Sequence, residues 1–193
     1  SFKKDNDLSD EEKKFAEFNI KKCNQVIKRI KLSIDFLKSD SDFRNAFQLA
    51  NQAIHEQNSW SKNSESASFN WRPFQMAFIL LVLESFIDNK RESKSIVDLL
   101  WFPTGGGKTE AYLCVISFLL FKSSFKSKKE EDPGTQILIR YTLRLLTTQQ
   151  FERASAVVLA SELIRKKSNL CDKNSKVFSI GLWIGGDSSP NKR

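Results

Sequence analysis

The sequence predicts an α/β fold in which a phosphate-loop domain with parallel strands follows an N-terminal helical hairpin. Three observations carry that expectation. Before residue 60 the apolar residues recur at helical spacing behind good capping residues. After residue 94, short β-branched runs alternate with long helical patterns, the signature of strand–helix–strand units. At the first such junction, a run of three glycines followed by Lys-Thr joins the expected strand to the expected helix.

The elements follow in order. Ser9-Asp10-Glu11-Glu12 has the form of a capping box, in which Ser and Glu reciprocally satisfy free N–H groups at a helix start. Phe15, Phe18, Ile20, Val26, Ile27, Ile30, Ile34 and Leu37 then mark one amphipathic helix ending near Lys38. Asp40-Ser41-Asp42 can cap a second, with Phe43, Ala46, Phe47, Ala50 and Ile54 on its apolar face. The pair reads as an αα-hairpin whose role is packing rather than chemistry. Gln57 to Asn70 is rich in Ser and Asn and reads as a linker. Pro73 suits the first turn of a third helix reaching to about Asp88. Expected strands cover 95–100, 135–141 and 177–183. Expected crossover helices cover 111–121 and 142–167, and Pro133-Gly134 marks a turn.

Composition narrows the function classes. The 193 residues are 40% hydrophobic and 28% charged, ordinary for a globular chain. A formal charge of +8 and a pI near 9.4 suit a polyanionic partner, or equally a set of solvated basic helix faces. Cys23, Cys114 and Cys171 are odd in number and far apart, and His55 is the only histidine, which argues against a zinc site. Reduced thiols, the absence of a secretory signal in the charged residues 1–14 and apolar runs too short to cross a bilayer lead to a cytoplasmic expectation, with no membrane partner.

The chemistry concentrates at Trp101-Phe102-Pro103-Thr104-Gly105-Gly106-Gly107-Lys108-Thr109-Glu110. Glycines let consecutive backbone N–H groups turn toward a polyphosphate. The positive end of the following helix adds to that field. Lys108 can put a point charge on the outer phosphates, and the Thr109 hydroxyl can ligate the Mg²⁺ that travels with ATP. Lys108 and Thr109 are therefore the catalytic candidates. Thr104, Gly105, Gly106, Gly107, Lys108, Thr109 and Glu110 are the nucleotide-binding ones. Phe102 stands where the full phosphate-loop pattern has its first glycine.

Three further stretches extend this reading. Arg72-Pro73-Phe74-Gln75, read with the phosphate loop, resembles the upstream glutamine motif of superfamily 2 helicases. There the Gln amide offers adenine a donor and an acceptor, so Gln75 and Arg72 join the nucleotide-binding candidates. A surface Gln at a helix start is the simpler alternative. Trp60, Phe69 and Trp71 could stack on a base, with core packing the stronger expectation for each. Arg140-Tyr141-Thr142-Leu143-Arg144-Leu145-Leu146-Thr147-Thr148-Gln149-Gln150 resembles the helicase motif that lies along a nucleic-acid backbone. Tyr141, Leu143 and Arg144 depart from its usual residues. Thr142 and Arg144 are the candidates here, against the alternative of an ordinary amphipathic helix start. Gly185-Gly186 resembles the double-glycine element beside the bound strand, and a plain turn explains it nearly as well.

The wording of 98–113, 140–154 and 180–186 resembles, more narrowly, the large helicase component of DISARM-type bacterial phage-defence systems. The resemblance covers about residues 71–187. It implies a partial RecA-like domain and an ATP-driven motor on DNA rather than RNA. It also implies partnership with the remaining helicase domains and with other phage-defence proteins. Such motors require an acidic Asp-Glu motif after the phosphate loop. None ends a strand here, so the chain is expected to be the front of a longer helicase. Residues 1–57 would be a helical region, 58–70 a linker, and 71–193 an incomplete ATP-binding domain without turnover of its own. Another phosphate-loop enzyme, such as a small kinase, or a vestigial nucleotide-binding module are the alternatives.

Overall fold

The structure, a computed structural model, describes residues 9–60, 69–87, 97–101, 106–125, 134–140, 144–172 and 174–183. Among these residues there are five α-helices. Helix α1 is Asp10–Ser39, α2 is Ser41–Ser59, α3 is Pro73–Leu83, α4 is Lys108–Ser124 and α5 is Arg144–Lys167. A short 3₁₀ turn, Glu84–Phe86, continues α3.

Local chemistry explains the helix starts. The Ser9 Oγ accepts from the Glu12 N–H at 3.3 Å, and the Glu12 carboxylate accepts from the Ser9 N–H at 2.8 Å, so the capping box forms as written. Asp40 ends α1 and opens α2: its N–H donates to the Phe36 carbonyl while its Oδ1 accepts from the Phe43 N–H at 2.7 Å. One residue thus turns the chain from α1 into α2. Pro73 occupies the first turn of α3, where its missing N–H costs nothing.

Helix α4 is the centre of the core. Ala111, Leu113, Cys114, Val115, Ile116, Phe118 and Phe121 are buried around its whole circumference, as expected of a helix enclosed by others. Helix α2 lies on it through Phe43, Ala46, Leu49, Ala50, Ala53 and Ile54, whose three alanines permit close approach. Phe43 meets Phe118 edge-on at 4.8 Å between ring centroids. Ile79 and Leu83 of α3 and Ala154, Val157 and Ala160 of α5 complete the same cluster. Only the C-terminal part of α1 joins, through Ser33, Phe36 and Leu37, while Phe15, Phe18, Ile20, Val26 and Ile27 are exposed.

The expected α/β architecture, a partial RecA-like domain with parallel strands, is not what the chain adopts. No strand forms among the described residues, and the one bridge is an isolated antiparallel pair, Phe125 with Cys171. Among their described residues, the segments expected as strands carry the right residues but pair with no other strand. Val97 is 92% exposed, Leu138 87% and Trp183 98%. A strand is defined by its partner's N–H and C=O groups, so a β-branched run without a partner stays irregular. The helical expectations fare differently. Helix α4 begins earlier than the apolar run suggested, at Lys108, because the glycine turn itself delivers the chain into helical geometry.

Polar contacts tie the elements together. Arg29 of α1 reaches across to α3 and to the segment leading into the glycine turn. Its guanidinium forks onto Asp98 at 2.6 and 2.9 Å and donates to Glu84 at 3.1 Å and to the Leu81 carbonyl at 3.3 Å. These hydrogen bonds, above all those to Asp98, raise the arginine's pKa above its usual value and outweigh the opposing effect of burial. At the far end, Glu162 and Arg165 of α5 form a buried bidentate pair at 2.7 and 2.8 Å. Glu162 also accepts from the Phe178 N–H, and Arg165 donates to Ser175, so this pair holds the returning chain against α5.

Candidate functional site

The glycine turn meets α4 at Gly107, whose φ of 88° and ψ of 29° are left-handed. A side chain there would also collide with its surroundings. A Cβ would sit 2.7 Å from Gln75 Nε2 and 3.3 Å from Glu110 Oε2. Conformation and space therefore both demand glycine at this position. As N-cap, Gly107 provides no side-chain acceptor for the first-turn amides of α4, which is the helix end with a partial positive charge. Lys108, Thr109 and Glu110 occupy that turn, each half-buried.

Arg72 and Gln75 brace the turn from α3. Arg72 Nη1 donates to the Gly106 carbonyl at 3.0 Å, and Gln75 Nε2 donates to the Gly107 carbonyl at 2.6 Å. Gln75 Oε1 accepts from the Arg72 N–H at 2.8 Å, which fixes the amide's orientation. In a trans peptide the N–H points opposite to the preceding C=O. Drawing the carbonyls of Gly106 and Gly107 toward α3 therefore turns the N–H groups of Gly107 and Lys108 to the other side. Two successive amides facing one way, at a helix N-terminus beside a lysine and a threonine hydroxyl, suit an anion's oxygens. The donor set thus fits a nucleotide's phosphates.

Gln75 is only 3% exposed, and one N–H and one lone pair of its amide remain after these bonds. Its first role in the fold is to hold the loop. Trp71 donates from its indole N–H to Asn51 at 2.7 Å and packs edge-on against Phe69, and both rings rest on the core. Trp60 is exposed.

Glu110 lies beside the turn and pairs with Arg153 of α5. The local pattern around Arg153 gives no sign of this partner 43 residues away. The same holds for the link from Arg29 to Asp98. Of the remaining candidates, Thr104, Gly105, Thr142, Gly185 and Gly186 lie outside the described residues, and Arg144 opens α5. No group of three or more His, Cys, Asp and Glu side chains gathers among the described residues, and no described helix is long and apolar enough to cross a membrane.

The chain is similar to the DISARM protein DrmA of Bacillus paralicheniformis, with 41% identity over 198 aligned residues. The match takes in 93% of this chain and 18% of that protein, so the chain spans under a fifth of the relative's length. No family model matches the chain, and no solved structure matches it.

Proposed function

We propose that this chain is the ATP-binding part of a DrmA-like DISARM protein, a DNA helicase or translocase acting in bacterial phage defence together with other defence proteins. The likeness to DrmA supports the defence role. The observation that carries the nucleotide reading is the braced turn. Arg72 and Gln75 hold the Gly106 and Gly107 carbonyls on one side, leaving the Gly107 and Lys108 amides to face the other. Lys108 adds its ammonium charge and Thr109 its hydroxyl at the same helix end.

Each residue then has a part in binding. The Gly107 and Lys108 amides and the Lys108 ammonium would hold the phosphates, and the Thr109 hydroxyl would help to hold the Mg²⁺ that accompanies them. Arg72 and Gln75 keep the loop from relaxing, and the unused donor and acceptor of Gln75 are what it has to offer adenine. Bound ATP supplies the phosphoanhydride whose hydrolysis would drive movement along DNA. Thr142, Arg144, Gly185 and Gly186 would follow the nucleic-acid backbone.

The test is equilibrium binding of a fluorescent ATP analogue with Mg²⁺. The chain should bind, and Lys108→Ala should weaken binding by about tenfold or more, equivalent to ~1.4 kcal/mol. Binding that is absent, or indifferent to Lys108→Ala, rules the nucleotide reading out.

A further inference from the structure

Helices α4 and α5 share a polar seam. Glu110 pairs with Arg153, the Tyr112 hydroxyl donates to Gln150 Oε1 at 3.1 Å, and the Ser117 and Ser161 hydroxyls are hydrogen-bonded at 2.8 Å. From Glu110–Arg153 to Ser117–Ser161 the residue numbers rise together on both helices, so α4 and α5 run parallel. Their N-termini, both partially positive, lie at the same end of the core. Tyr112 reaches an earlier turn of α5 because helical side chains lean toward the N-terminus.

The offset between the helices matters. Glu110 is about 3 Å from the start of α4, whereas Arg153 is about 13 Å from the start of α5, at ~1.5 Å per residue. The first turns of α5 therefore project beyond the glycine turn by roughly 10 Å. Arg153 is the point where α5 passes the nucleotide site.

Glu110 presents a charge problem there. Its Oε2 lies 3.3 Å from the position a Cβ on Gly107 would take, so a carboxylate sits close beside the turn whose amides would receive phosphates. Left bare, it would repel them. Arg153 cancels it, with Arg153 36% and Glu110 22% exposed at their side chains.

Building on the nucleotide-binding reading, we propose that Arg153 is a positioning residue that makes the glycine turn accept phosphates and couples its occupancy to the projecting N-terminal turns of α5. Phosphate arrival competes with Glu110 for the guanidinium. The resulting change in the Glu110–Arg153 pair bears directly on α5, and by thermodynamic reciprocity a ligand held at the start of α5 changes nucleotide affinity by the same factor.

The charges give the two partners opposite signatures. Arg153→Gln leaves Glu110 uncompensated and should weaken Mg·ATP binding about tenfold, toward the lower end of the usual coupling range. Glu110→Gln removes the repulsion and should tighten binding. The double variant Glu110→Gln/Arg153→Gln should return to within a few-fold of the original affinity. A merely structural pair would instead lower affinity in both single variants.

Hydrogen exchange on the full chain, with and without a non-hydrolysable ATP analogue and Mg²⁺, reads the coupling. In the unaltered chain the analogue should slow exchange at 106–112 and in the first turns of α5. In Arg153→Gln, at saturating analogue, the slowing at 106–112 should persist and that in α5 should disappear. Arg153→Lys, which keeps the charge and tolerates the same packing, should restore part of the α5 response. An unchanged α5 response in Arg153→Gln, or equal losses of affinity in both single variants, overturns the coupling and leaves nucleotide binding standing. No response at 106–112 in the unaltered chain overturns the nucleotide reading and the coupling with it.

Discussion

Replacing Arg29 with Met tests how the first helix is fastened to the rest of the molecule. The change keeps the apolar stem and removes the guanidinium that bridges α1, α3 and the segment before the glycine turn. Arg29 is 14% exposed at its side chain, Asp98 15% and Glu84 5%. Breaking a buried ion pair by deleting one partner costs roughly 3–5 kcal/mol, and here Asp98 loses both prongs of its contact. Some water reaches Asp98, so the lower end applies, about 3 kcal/mol. For a chain of this size about 2–4 °C accompanies each kcal/mol, which places the fall in Tm at roughly 6–12 °C. Urea denaturation followed by circular dichroism gives the free energy directly, with an unchanged m value showing that stability alone has moved. Arg29→Lys should lose less, since it keeps the charge but not the two-pronged contact with Asp98. If the contacts of Arg29 with Glu84 and Asp98 are solvent-screened like exposed pairs, Arg29→Met loses less than about 1 kcal/mol. That result refutes the reasoning.

Three other perturbations have defined outcomes. Gly107→Ala forces a left-handed alanine against Gln75, so a destabilisation of about 2 kcal/mol is expected together with loss of ATP-analogue binding; retention of both would show that the turn is not held as described. The hydrogen bonds from Arg165, helped by the Phe178 N–H, keep the Glu162 carboxyl below the usual carboxylate range despite burial. A depressed folded pKa contributes stability above the unfolded value of about 4.3 that is lost as pH falls through the folded one, so Glu162→Gln should flatten the acid limb of a stability–pH curve. Burial pushes the Cys114 thiol up to about 12, so at pH 8 an alkylating reagent should label the exposed Cys23 quickly and Cys114 only on unfolding; mass spectrometry of the native chain decides this.

The parts that were legible in the sequence are those governed by near neighbours. The capping box at Ser9 and Glu12, Asp40 between two helices and Pro73 at a helix start each act within one turn, so residue order suffices to read them. Gly107-Lys108-Thr109 is local in the same sense. The strands were misread for a related reason. Residues 95–100, 135–141 and 177–183 have strand-like composition, but a strand also needs a neighbouring strand, and composition is silent about that. The spacing of apolar residues marks α1 as one amphipathic helix, but not that only its C-terminal part meets other helices.

Sequence by itself determined that this chain carries helices with definite starts and a glycine turn opening onto Lys108 and Thr109. The tertiary structure alone decided which side chains surround that turn. Arg72 and Gln75 reach the Gly106 and Gly107 carbonyls across separations of 34 and 32 residues, Arg153 reaches Glu110 across 43, and Arg29 reaches Asp98 across 69. Those contacts follow from the burial of apolar faces of α2, α3 and α5 on α4, with the C-terminal part of α1 packed on the same cluster, and non-directional burial places charged groups beside one another that no local pattern could pair.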